Sequence, residues 1–119
     1  MRFTETKLSG SYIIEIDKIM DERGFFGRSW CAKEMEQHGL KGAIAQVNTS
    51  RSKNKGTLRG LHYQVAPYQE CKMVRCTKGA IFNVIVAIQP RLESSAATKY
   101  SPDTPVMLLV LLWFLSLFL

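Results

Sequence analysis

Two short stretches of this chain change polarity from one residue to the next, and that period-two alternation restricts it to half-buried β-structure more firmly than any other feature. In "AIAQVNTS", Gln46, Asn48 and Ser50 share one face while Ala45, Val47 and Thr49 share the other. In "TLRGLHYQV", Gly60, His62 and Gln64 stand opposite Leu61, Tyr63 and Val65. A polar row facing away from an apolar one is unusual for core strands, and such rows suit the lining of a cavity. After a loop containing Pro67, "CKMVRCTKGAIFNVIVAI" predicts a hairpin of two strands around Thr77-Lys78-Gly79, with Lys72, Val74 and Cys76 on one face of the first strand.

Nearer the start, "SYIIEID" predicts a strand leading to the polar turn Asp21-Glu22-Arg23-Gly24, where Gly24 accommodates a positive φ. Phe25 and Phe26 follow it and are expected in the core, and Tyr63 is expected to serve in packing. "SWCAKEMEQHGL" predicts a helix of about two turns near residues 30–38, with Ser29 as N-cap and Gly39 as the residue that ends it. His38 falls in the last turn of that helix, where a structural role accounts for it. Short strands at regular spacing with one helix imply an all-β, mainly antiparallel sandwich or barrel.

The chain of 119 residues has room for one core. Its net charge of +6 comes entirely from residues 1–90, which makes anionic partners plausible. Arg51, Lys53, Lys55 and Arg59 occur without an intervening acid. No aromatic platform interleaves with them, so a nucleic-acid partner is not expected, and Lys53 and Lys55 read as a solvated loop. Three cysteines, Cys31, Cys71 and Cys76, show neither a paired framework nor zinc spacing, which fits a reducing cytoplasm.

After Pro90 the character changes. Residues 1–90 read as a partial β-domain, and 91–119 as a divergent polar linker followed by the apolar tail "VMLLVLLWFLSLFL". As a helix that tail would reach roughly 21 Å, short of the ~30 Å hydrocarbon core, so no membrane role is expected. It shows no alternation, and is not expected to supply the next strand of a barrel.

With "DERGFFGRSW", "QVNTS", "GTLRGLHYQ" and "KMVRCTKGAIFNVIV" in this order, residues 2–90 resemble the dTDP-4-dehydrorhamnose 3,5-epimerase family, metal-free nucleotide-sugar epimerases of the cupin superfamily. The resemblance implies a jelly-roll barrel, incomplete here, and usually a homodimer. It also implies cofactor-free action on dTDP-4-dehydro-6-deoxyglucose in dTDP-rhamnose biosynthesis. In that family the histidine at the position of His62 is the general base, and the lysine at Lys72 steadies the charge on the C4 oxygen. The hairpin is expected to set Lys72 beside the row of His62. The resemblance further implies that Arg23 and Arg59 contact the diphosphate or sugar, with Gln46 and Asn48 near the nucleotide. No metal is expected, because His62-Tyr63-Gln64 offers one imidazole where metal-binding cupins have a His-x-His pair.

Regular alternation puts Arg59 on the face opposite His62, so a bulge, a strand end or a neighbouring subunit would be needed to bring both to one site. Arg28 stands where many members carry a glutamate. The family's tyrosine general acid, second histidine and acidic partner of the base have no match in this chain. A noncatalytic barrel module that binds a nucleotide sugar or a protein partner is the alternative reading.

Overall fold

The computed structural model describes residues 1–65, 67–87, 95–100, 106–110 and 114–118. In chain order these form β1 (Arg2–Glu5), β2 (Tyr12–Glu15), β3 (Ile19–Asp21), β4 (Gly24–Phe26), α1 (Ala32–Gln37), β5 (Arg59–His62), β6 (Lys72–Arg75), β7 (Ile81–Ala87), β8 (Ser95–Tyr100), β9 (Val106–Val110) and β10 (Phe114–Phe118). One four-stranded sheet has the order β1-β2-β9-β6, a second has β5-β10-β7-β8, and β3 and β4 make a separate ribbon. Every pairing is antiparallel. The mainly antiparallel architecture with one short helix therefore stands as expected.

The core lies where α1 docks on the first sheet. A six-residue helix has almost no stability of its own, and α1 is held by Met35, which is fully buried against Ile14 and Leu40. Phe3, Tyr12, Trp30 and Cys71 complete that cluster from the side. The N-cap is Cys31, in extended conformation and without a side-chain capping bond, rather than Ser29. At the other end Gly39, at φ 72°, donates its N–H to the carbonyl of Glu36 and ends the helix as expected. His38 stacks on Phe3 with ring centroids 3.9 Å apart, and its Nδ1 lies 2.9 Å from the Glu34 carbonyl, which bears out a structural role.

Glu34 fastens the outside of this cluster. Its carboxylate accepts from the Met1 ammonium at 2.9 Å and from Arg28 at 2.7 Å, and the ammonium also meets Asp17 at 3.2 Å. Arg28, the departure from the family pattern, thus serves helix α1. The two cations hold the Glu34 carboxyl down to about 2, the ammonium contributing first and Arg28 second.

Several expectations fail for one reason: strand pairing is decided by distant partners. The β6–β7 segment is not a hairpin, because β6 pairs with β9 and β7 with β10 and β8, so the Thr77–Gly79 turn carries the chain from one sheet to the other. Residues 43–50, expected to form a half-buried strand with one polar and one apolar face, belong to no sheet and all lie exposed. Phe25 and Phe26 are 51% and 74% exposed, since the β3–β4 ribbon is packed into neither sheet, and Tyr63 is exposed as well. The apolar tail, expected to stay outside the barrel, supplies β9 between β2 and β6 and β10 between β5 and β7. Strands pair through backbone groups whatever their side chains, so a run without alternation can enter a sheet unannounced.

Candidate functional site

The register settles which faces carry the candidate residues. In the first sheet Phe3 pairs with Ile14, and Ile14 packs on Met35, so that face is the one covered by α1. The same face runs through Met107 to Arg75 and through Leu109 from Tyr12 to Met73. The opposite face runs from Ile13 through Leu108 to Val74. Lys72, two residues before Val74, shares it, and burial along β6 alternates so that Lys72 and Val74 are the more covered pair.

In the second sheet His62 pairs with Ser116, which pairs with Ile85, and Arg59 pairs with Phe118, which pairs with Asn83. Ile85 and Asn83 are buried, so this row marks the covered face of the sheet. Arg59 and His62 are three residues apart yet share it, because the ladder is irregular between Ser116 and Phe118: Gly60 and Leu61 together oppose Leu117. Of the routes by which Arg59 could join His62, the structure contains the bulge.

Lys72 does not lie in the same sheet as His62, contrary to the hairpin expectation. It occupies the face of the first sheet that α1 leaves free, while His62 occupies the covered face of the second. Lys72 Nζ is 2.8 Å from Glu70 Oε1, with both side chains more than a third exposed. Such a pair contributes about 0–1 kcal/mol, so Glu70 does not tie the ammonium down. The His62 side chain makes no hydrogen bond among the described residues, and it is exposed.

The other candidates are spread more widely. Arg23 lies in the β3–β4 turn, where its guanidinium grips Asp21 at 2.6 Å and pulls that carboxyl below its ordinary range. Arg59 donates from Nε to Ser52 Oγ and from its terminal nitrogen to the Arg51 carbonyl, each at 3.3 Å. Those bonds lay the side chain along the cationic loop, in which Lys53 and Lys55 are exposed as expected. Gln46 and Asn48 are exposed, outside any sheet. Two supporting residues escaped sequence reasoning. Glu70, placed two positions before Lys72, was a findable charge pair, whereas Ser52 is tied to Arg59 only by the folding of the loop.

All three cysteines are free thiols, and burial raises the pKa of Cys71. Among the described residues no helix is long and apolar enough to cross a membrane.

Two four-stranded antiparallel sheets, joined by the Thr77–Gly79 turn and accompanied by one short helix, match the cupin fold of the solved structures given below. The family model for dTDP-4-dehydrorhamnose 3,5-epimerase matches residues 5–102, and the chain belongs to that family. The match continues past Pro90, where the motif resemblance ends. The epimerase of Shigella flexneri is 43% identical over 90 residues, covering 75% of this chain and 49% of its own. The Escherichia coli enzyme is 41% identical over 95 residues, covering 79% and 51%. The chain thus spans about half the length of the curated relatives it matches. The crystal structure of the Elizabethkingia anophelis epimerase superposes with a TM-score of 0.92 at 32% identity, covering 100% of this chain and 67% of that one. The Bacillus anthracis enzyme, solved with TDP and PPi bound, gives 0.91 at 32% identity, covering 98% and 69%.

Proposed function

We propose that this chain carries the base and the enolate-stabilising cation of a dTDP-4-dehydrorhamnose 3,5-epimerase, acting on dTDP-4-dehydro-6-deoxyglucose without a cofactor. The hydrogens at C3 and C5 flank the C4 ketone, so removing either as a proton leaves an enolate, and reprotonation from the other face inverts that carbon. His62 takes the proton, as imidazole suits a base near neutral pH. Lys72, swinging from Glu70, faces the enolate oxygen from the opposite sheet. Arg59 and Arg23 bind the diphosphate or sugar, Arg23 exchanging Asp21 for phosphate oxygens, and Gln46 and Asn48 lie toward the nucleotide. The observation that carries this reading is the register: it supports His62 and Lys72 on the two sheet faces that can look at one another across a jelly roll. A second copy fits the exposed apolar ribbon of Ile19, Met20, Phe25 and Phe26, which supports a homodimer.

A noncatalytic nucleotide-sugar module is the second reading, favoured by a His62 ring with no hydrogen-bond partner among the described residues to fix its tautomer. Incubation with dTDP-4-dehydro-6-deoxyglucose in D₂O separates the two. Deuterium at C3 or C5 supports the epimerase, whereas binding without exchange leaves the module.

A further inference from the structure

The bulge in β5 bears on how the site is built. Arg59 and His62 are an odd number of residues apart, and in a regular strand they would point to opposite sides. They share a side only because the two-residue unit Gly60-Leu61 counts as one against β10, where Ser116 and Phe118 are two apart. Gly60 has φ 118°, a backbone conformation that side chains with a Cβ rarely adopt. A β-branched residue there would favour the regular ladder and turn Arg59 away.

We propose that Gly60 is a positioning residue that sets the parity of β5, placing the anion-binding cation Arg59 and the base His62 on one face so that both address a single ligand. The inference rests on the proposed function only for the identity of that ligand, a nucleoside diphosphate joined to a sugar. The parity itself rests on register and φ.

The test reads co-facing directly, with cupric ion as probe. Arg59→His would put two exposed imidazoles on one face at the spacing of alternate strand residues, where they chelate together, so Cu²⁺ affinity should rise at least about tenfold over the parent chain. Adding His62→Ala should remove the gain. In the Arg59→His background, Gly60→Val should abolish the gain, whereas deletion of Gly60 should keep it, because a regular strand one residue shorter again puts the two positions on one side. No gain from Arg59→His overturns the proposal, as does a gain that survives Gly60→Val. If Gly60→Val fails to fold by far-UV circular dichroism, the deletion decides: gain kept supports the parity role, gain lost refutes it. Titration of the parent chain with dTDP separates the two readings. A Cu²⁺ gain without dTDP binding supports the bulge and removes the nucleotide assignment.

Discussion

Replacing Met35 by alanine should cost this protein about 3 kcal/mol. Met35 is the one buried residue of α1, fully enclosed by Ile14 and Leu40 with Phe3, Tyr12 and Trp30 around them. Burying the methionine beyond its β-carbon accounts for about 2 kcal/mol at roughly 0.8 kcal/mol per buried group. The cavity left behind adds on the order of 1 kcal/mol, within the usual range of about 2–5 for such truncations. The ceiling is the free energy of undocking, because a two-turn helix without a capping side chain can leave the sheet. At about 4–8 °C per kcal/mol for a small domain, Tm should fall by about 12–24 °C. Thermal unfolding by circular dichroism measures this, with Met35→Leu as control expected to lose less than about 1.5 kcal/mol. Ile14→Ala should be non-additive with Met35→Ala by about 0.5 kcal/mol or more, since the residues touch. A loss below about 1 kcal/mol for Met35→Ala, or strict additivity, would refute the claim that this contact holds the helix to the sheet.

Other outcomes follow from the same geometry. Glu34, held at about 2 against an ordinary 4.5, binds fewer protons folded than unfolded. Its stabilisation should be complete above pH 4.5 and fade as the pH falls toward 2, and Glu34→Gln should flatten that limb of a urea-midpoint profile. The Met1 ammonium, raised above 8.0 chiefly by Glu34, acts in the opposite sense: its contribution is complete below 8.0 and declines above it. If the proposed chemistry holds, His62→Asn should lower deuterium exchange about 10²–10⁴-fold, and Lys72→Ala about 10²–10³-fold, with dTDP affinity by calorimetry nearly unchanged in the former. Gly39→Ala should cost about 1 kcal/mol in chemical denaturation because its φ of 72° disfavours any Cβ, although open space surrounds the position. Phe26→Glu should shift a dimer toward monomer in light scattering, with little change in Tm, because that ring is exposed within one chain.

What could be read from the chain alone was what depends on near neighbours. The run Ala32–Gln37 ending at Gly39 announces α1 because helical contacts reach only three or four residues along. Gly24 and Gly79 mark turns because each needs a positive φ, 131° and 82°. The faces of β6 followed from strict alternation, and His62, Lys72 and Arg59 stood out through the motifs around them. Nothing local says which strand a strand will pair with. The sheet that receives Lys72, the passage of the Thr77–Gly79 turn between layers, and the placing of the apolar tail as β9 and β10 all depend on partners from 20 to 100 residues away. The parity of Arg59 depends likewise on one extra residue in β5, visible only against the register of β10. Period and turn chemistry are written into each segment, but the faces that finally meet are selected by which pairing buries the most apolar surface, and that is a property of the whole chain.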